Sequence, residues 1–368
     1  MAGPIITKTT AGLSDGNYAL IGKLATPLKM YVLQQSREAS KRDGAYKWIC
    51  NMDTSNRFAE SAVAMERPAG LVMTDDGANF EQFDRSETDY TTIYHHQYAR
   101  YETITASTVE DSMGGVTAEM RRQMRLLTDD YYITKNQLAA IMVTSGTKTE
   151  YTFANGKKLL LPAPAGKPLY YKSHPIGSSG DTQSNLFYTT RSSGVGIDYS
   201  VVEAMMQEAT VRLRNMTTND GTAAGYTANY MIIPGNNGAL ERACKKAIGS
   251  ELSDRASVAS NGINIQHGNW GLIILTDWRV SDGRCPIAFM STMARDRLGG
   301  FMMYDRVSLK ISDSVNHRNG NYEWTARARL GIGSFTYLHT LMYESLANGT
   351  TTLYDGQTAA DAATEITL

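Results

Sequence analysis

At 368 residues the chain is long enough for about two or three compact units, and with 42% hydrophobic and 20% charged side chains most of it is expected to fold. Its 36 basic and 37 acidic side chains leave no basic excess of the kind a dedicated sequence-reading DNA binder carries. Three widely separated cysteines, Cys50, Cys244 and Cys285, exclude a CxxC zinc knuckle and a disulfide framework, which fits folding in a reducing compartment.

The opening residues, MAGPIITKTTAGLSDG, hold no apolar run of signal-peptide length. No stretch approaches the ~18 uninterrupted apolar residues of a membrane span, so neither the usual secretion route nor membrane embedding is expected. No repeat of solenoid or propeller period occurs. Charge is unevenly placed. Residues 1–50 carry seven basic and three acidic side chains, and residues 51–111 carry four basic and twelve acidic ones. Adjacent segments of opposite sign suit contacts within one chain or between neighbours.

In chain order, the first fifty residues read as an extended arm, because Gly3, Pro4, Gly12, Gly16, Gly22 and Pro27 interrupt every apolar piece. A strand is expected around Leu71–Thr74, followed by turn chemistry at Asp75-Asp76-Gly77. YTTIYHHQYARYETIT (90–105) reads as its long partner, with Tyr90, Tyr94 and Tyr98 on one face and Ile93, Ala99 and Tyr101 on the other. Neither face is apolar enough for a core of its own, so this pair is expected to rest on another surface. Residues 116–145 give the clearest helix, with Met120, Met124, Leu127, Tyr131, Leu138, Ile141 and Met142 near helical spacing. Thr134-x-x-Gln137 resembles a capping box and allows a break near 132–134.

Asn155-Gly156 in YTFANGKKLLLP signals a hairpin. A helix over about 199–216 follows, then a strand at 229–234 and a short helix at 239–250. Strands are expected at 270–278, 286–291, 305–315 and through 321–343. The Thr- and Ala-rich tail from Asn348 to Leu368 reads as loosely held.

Catalytic signals are scarce. The six histidines show no HExxH, HxxxH or HxH spacing, and His95 and His96 point to opposite faces of one strand. There is no GxSxG, GxxxxGK[ST] or GxGxxG. Cys244 and Cys285 read as small core residues. The segment KPLYYKSHPIGSSGDTQSNLF (167–187) sets His174 before Pro175 at the head of a polar loop. One reading is a hydrolase using His174 with Asp181. The other is a structural turn, with Pro175 holding His174 extended and the imidazole bonded to nearby backbone.

The ordered set of pieces resembles the major capsid proteins of tailed bacteriophages, of the Hong Kong ninety-seven fold, and looks closest to Mu-like major head subunits. The pieces are a basic arm, an acidic strand pair ending in YTTIYHHQYARYETIT, the helix VTAEMRRQMRLLTDDYYITKNQLAAIMV, YYKSHPIG with SNLF, YSVVEAMMQEA, NYMIIPGNNGALERA, NWGLIILTDWRVSDG and YEWTARARLGIGSF. The resemblance implies an α+β fold with an N-terminal arm (1–50) and an extended two-stranded loop (51–106). It also implies a peripheral domain with a spine helix (107–200 and 306–346), a mixed α/β axial domain (201–305) and a C-terminal tail (347–368).

It further implies a non-enzymatic subunit that self-assembles into pentamers and hexamers of an icosahedral or prolate shell around double-stranded DNA. Such a shell would be built in the host bacterial cytoplasm, with a portal, a separate scaffolding protein, since no helical scaffold precedes the arm, and in some cases a decoration protein. No cofactor or metal is implied. Expected contacts between subunits are Lys23, Lys29 and Arg37 of the arm and Asp75, Asp76, Glu81, Asp84 and Glu87 of the loop. Glu251, Asp254, Arg255 and Arg284 are expected to contribute from the axial domain, and Arg327 and Arg329 from a late strand. An encapsulin-like compartment is the alternative within the same fold.

Overall fold

The computed structural model describes residues 27, 28, 30–32, 34, 35, 44–63, 90–111, 117–177, 180–191, 197–219, 221–249, 267–281, 283–316 and 320–368. The strand expected around Leu71–Thr74 lies outside them. In chain order the elements are α1 (Ala45–Ile49), β1 (Asn51–Thr54), β2 (Ala59–Val63), β3 (Tyr90–Ile104), α2 (Ala106–Asp111) and α3 (Ala118–Thr144). Next come β4 (Glu150–Thr152), β5 (Lys158–Leu160), β6 (His174–Pro175), β7 (Thr182–Gln183), β8 (Leu186–Arg191) and α4 (Tyr199–Asn215). These are followed by β9 (Tyr230–Pro234), α5 (Gly238–Gly249), β10 (Gly271–Leu275), β11 (Pro286–Met290), α6 (Thr292–Leu298) and β12 (Met302–Val315). The chain closes with β13 (Tyr322–Gly333), β14 (Thr340–Ala347), α7 (Ala359–Ala362) and β15 (Thr364–Glu365).

Two sheets organise this α+β chain. The first runs β1-β12-β13-β3-β2, and the second β10-β9-β11-β14-β8-β15. In the first, β12, β13 and β3 form a long antiparallel ribbon, with Tyr322–Gly331 of β13 opposite Ile104–His95 of β3. In the second, β11 and β14 are buried along almost their whole length, which explains their near-continuous apolar runs. β8 and β14 pair in this second sheet, although both fall within the stretches assigned by resemblance to a peripheral domain.

Helix α3 spans both cores. Thr117 caps it by accepting from the Met120 amide, and its first half buries Met120, Met124 and Leu127. These side chains meet Ile104, Tyr322 and Trp324, with the Tyr322 and Trp324 rings edge to face at 5.5 Å. The second half, from Leu138 to Val143, packs into the larger core beside the six-stranded sheet. At ~1.5 Å per residue the 27-residue helix runs about 40 Å without the break that Thr134-x-x-Gln137 allowed. Thr134 instead donates its hydroxyl to the Asp130 carbonyl inside the helix, a bond compatible with continued helix.

Three expectations change. The described residues between 27 and 35 are helical rather than extended. Pro27 stands where a first-turn proline is tolerated, and Leu28 and Val32, one turn apart, bury against Met120, Met124 and Trp324. The run 321–343 divides into β13 and β14. Ser334 donates to the Thr336 carbonyl at 2.6 Å and Thr336 Oγ1 accepts from the Leu338 amide at 3.1 Å, so side chains satisfy a buried turn. The tail is not loose, because Leu353, Ala359, Ala363 and Ile366 are buried and β15 extends the second sheet. The Asn155-Gly156 hairpin forms as expected, joining β4 to β5 with Gly156 at φ 78°.

Midway along α3, Lys135 is buried and its ammonium lies 2.6 Å from Asp305 of β12, beside a shift in the β12–β13 register. The Tyr131 hydroxyl donates to the same carboxylate at 3.0 Å, and the Lys135 ammonium sits 4.6 Å from the Tyr131 ring centre. Removing one partner of such a pair strands a buried charge, whereas removing both charges does not. Asp305→Ala should therefore cost about 3–5 kcal/mol, and Lys135→Met combined with Asp305→Asn, which keeps an acceptor for Tyr131, should recover most of that loss. Urea midpoints of the two variants and the parent check this.

Candidate interaction surface

The loop that carries His174 is built as a joint. The imidazole is fully buried. Its Nε2 lies 3.2 Å from both the Leu169 carbonyl and Asn185 Oδ1. The ring stacks on Tyr337 at 3.8 Å and 4°, with Tyr171 edge-on at 5.7 Å. Asn185 locks the loop from the other side by donating to the Leu169 carbonyl at 2.7 Å and accepting from the Tyr171 amide at 2.8 Å. Gln183 donates to the Thr217 carbonyl and to the Tyr337 hydroxyl, and accepts from the Thr217 amide. One small network therefore fastens the loop to the end of α4 and to the turn before β14.

Gly177 completes this joint. It has φ 51°, and a Cβ there would stand 2.5 Å from the Asn219 carbonyl oxygen. Only glycine accepts both the left-handed backbone and the close approach.

A catalytic use of His174 finds no footing in this geometry, because the ring is sealed between Tyr337 and Tyr171 with no exposed atom for a substrate. Burial lowers its pKa to about 4, against the opposing help of its two hydrogen bonds. His339 is similar, with burial lowering its pKa to about 3 while Nε2 accepts from the Phe301 amide at 3.3 Å. Cys50, Cys244 and Cys285 are free and buried, and burial pushes the Cys50 and Cys244 thiols up to about 12. Among the described residues no group of three His, Cys, Asp or Glu side chains is arranged to hold a metal, and no helix is long and apolar enough to cross a membrane.

Of the expected contact residues, Lys23, Lys29, Arg37, Asp75, Asp76, Glu81, Asp84, Glu87, Glu251, Asp254 and Arg255 lie outside the described residues. Arg284 turns inward. Its Nη1 is 3.4 Å from Glu344 Oε1 and also donates to the Thr352 carbonyl, while Nη2 donates to Thr352 Oγ1 at 2.8 Å. Sequence reasoning placed it at a neighbour contact because it cannot see a carboxylate sixty residues away. Glu344 and the Lys135–Asp305 pair were missed for the same reason, and a charged residue inside an apolar run is the one signal that marks them.

Arg327 and Arg329 behave as the alternation of β13 demands. Ala326, Ala328 and Leu330 are buried and the two arginines are exposed. Lys310 of β12 pairs with Arg327, and Gln97 of β3 with Arg329, so three cations border one open face of the ribbon. Tyr101 stands 68% exposed nearby, opposite Thr325. At the other end of β3, Phe58 and Tyr94 meet edge to face at 6.4 Å, with the Arg306 guanidinium 5.9 Å from the Phe58 ring centre. Phe58, Tyr90 and Tyr94 are all exposed. A ribbon that shows aromatic rings and cations to solvent, these cations having no ion-pair partner among the described residues, has the composition of a contact surface.

The two buried histidines make the fold sensitive to acid. Each has a folded pKa below its unfolded value near 6.5, so its stabilising contribution is complete above that value and is lost as pH falls toward 4 and 3. His174→Gln, which keeps a donor toward Leu169, should narrow the gap in unfolding free energy between pH 7.5 and pH 4.5 by about 2.5 kcal/mol. Urea titrations at the two pH values measure it, and an unchanged gap contradicts the assignment.

No family model matches the sequence, and no curated protein matches it. Solved structures similar to it include the capsid of Myoviridae phage XM1, at 11% identity and a TM-score of 0.44, covering 80% of this chain and 90% of that one. The capsid of a native gene-transfer-agent (GTA) particle is similar at 14% identity and TM-score 0.46, covering 83% and 91%. The procapsid of satellite phage P4, whose structure includes a size determination protein, is similar at 11% identity and TM-score 0.44, covering 87% and 91%.

Proposed function

We propose that the chain is a major capsid subunit of a tailed bacteriophage or a related particle, and that it forms a closed shell from rings of five and six copies. The observation that carries the reading is the order of elements along one chain. A long strand precedes a 27-residue helix, which is followed by a loop fastened through His174, a six-stranded sheet with helices, and a return through two long strands to the first sheet. It is the order by which the sequence resembles the capsid family. Within that family the sequence pattern resembles Mu-like head subunits, and we propose a subunit of that kind.

In this reading the ribbon β3-β13-β12 and α3 form the peripheral part of the subunit, and the six-stranded sheet with α4 and α5 forms the axial part. The acidic residues Asp75, Asp76, Glu81, Asp84 and Glu87 of one copy lie against Lys310, Arg327 and Arg329 of the next, and the arm cations Lys23, Lys29 and Arg37 lie on another neighbour. Individually such exposed pairs contribute little. Repeated around a ring, and joined to the exposed Phe58, Tyr90 and Tyr94, they add as linked contacts. The near-zero net charge limits repulsion between copies. A portal, a separate scaffold and non-specifically held double-stranded DNA are the partners such a shell takes.

Expression with a scaffold candidate, followed by negative-stain microscopy, tests this. Closed shells, or rings of five and six, are expected. A monodisperse monomer at every salt concentration, with scaffold present, contradicts the proposal. Arg327→Glu with Arg329→Glu should leave the subunit folded by circular dichroism and lower the yield of assembled particles at least tenfold. Unchanged assembly would remove these two residues from the contact.

A further inference from the structure

Lys135 and Asp305 bring an amine nitrogen and a carboxyl group into contact inside the protein. Their side chains are only 6% and 15% exposed, and Nζ lies 2.6 Å from Oδ2, with the carboxyl carbon one bond further on. The Tyr131 hydroxyl reaches the same carboxyl group from one turn earlier in α3, 3.1 Å from Oδ1 and 3.0 Å from Oδ2. The rings of Tyr131 and Tyr46 stand 4.6 and 5.6 Å from the nitrogen, so aromatic faces enclose the pair. A buried nucleophile, an acyl carbon and a hydroxyl that can polarise the acyl oxygen therefore meet at one point.

We propose that Lys135 and Asp305 become joined by an amide bond between Nζ and Cγ, which ties α3 covalently to β12 within one subunit. The ion pair is the state before the reaction. A proton passes along the 2.6 Å contact from the ammonium to Oδ2, leaving a neutral amine and a neutral acid. The Nζ lone pair attacks Cγ, and the negative charge that develops on Oδ1 is held by the Tyr131 hydroxyl. A second proton passes from Nζ to Oδ2, the Cγ–Oδ2 bond breaks, and water leaves. Nζ keeps its third proton as the amide hydrogen, and Oδ1 becomes the amide oxygen. No oxidant or other reagent is consumed.

Two effects favour the amide over the ion pair. Holding both groups in place acts as an effective concentration of about 10⁵–10⁸ M for a well-oriented pair. Condensation also replaces two buried charges, each costly to desolvate, with one neutral group. Tyr131 suits its part, because burial and the Asp305 charge raise its hydroxyl above the ordinary value and keep it a donor. The open side of Asp305 gives the departing water a way out. The bond lies within a single subunit and does not depend on the proposed shell.

Mass spectrometry of the full chain, fresh and after prolonged incubation as folded protein, tests this. A species lighter than the sequence mass by one water is expected, with a tryptic product in which residues 126–148 are joined to residues 298–306. Lys135→Arg, which keeps a cation beside Asp305 but removes the amine nucleophile, should give no joined product. Tyr131→Phe should form it roughly 100-fold more slowly, and an unchanged rate overturns the part assigned to the hydroxyl. A parent chain at full sequence mass with no joined product overturns the proposal. So does water loss without the joined product, which reports a succinimide at some aspartate instead. A product that forms equally fast in denaturant, where the fold no longer places the two groups together, overturns it as well.

Discussion

A helix that serves two hydrophobic cores needs its rotation fixed where they meet, and in α3 that point is Lys135. Leucine and methionine contacts are non-directional, so alone they let a long helix roll a little on a sheet. The ammonium of Lys135 and the hydroxyl of Tyr131 converge on one carboxylate, Asp305, from adjacent turns of the helix. Asp305 sits on β12 just where its pairing with β13 slips. The bond thus fixes the helix rotation and the strand register together, and with them the faces presented by β13 and β3.

The second dependence runs through the 167–187 loop. Its buried bonds among His174, Asn185, Gln183, Thr217 and Tyr337 connect the loop to the end of α4 and to the turn leading into β14. A neutral imidazole suits that place because it donates from one nitrogen and stacks its flat face, and a charged one does not suit it. The histidine that looked reactive in the sequence is a packing element whose chemistry has been suppressed by burial.

Much of the fold was legible because it rests on local periodicity. The helix from 118 to 144, the Asn155-Gly156 turn, the strand from Tyr90 to Ile104 and the inward alanines that leave Arg327 and Arg329 outside all follow from spacing alone. What was not legible depends on residues far apart in the chain. Leu28 and Val32 form a helical turn because Trp324 and Met124 offer them a surface. The tail reads as loose because Thr and Ala dominate it, yet Leu353 and Ile366 suffice to seat it once β8 provides an edge. Arg284 was taken for an outward contact because the buried Glu344 that claims it reads as one charge in an apolar run.

The antiparallel ribbon of β12, β13 and β3 also has a mechanical character. Its ladder bonds lie across the strands, so tension along the ribbon loads many of them together in shear, and none can fail before its neighbours share the strain. Force applied at the Asn316–Asn321 end, perpendicular to the strands, instead meets one rung at a time. A structure pulled along this ribbon is stiff, and one pried at its tip opens like a zip.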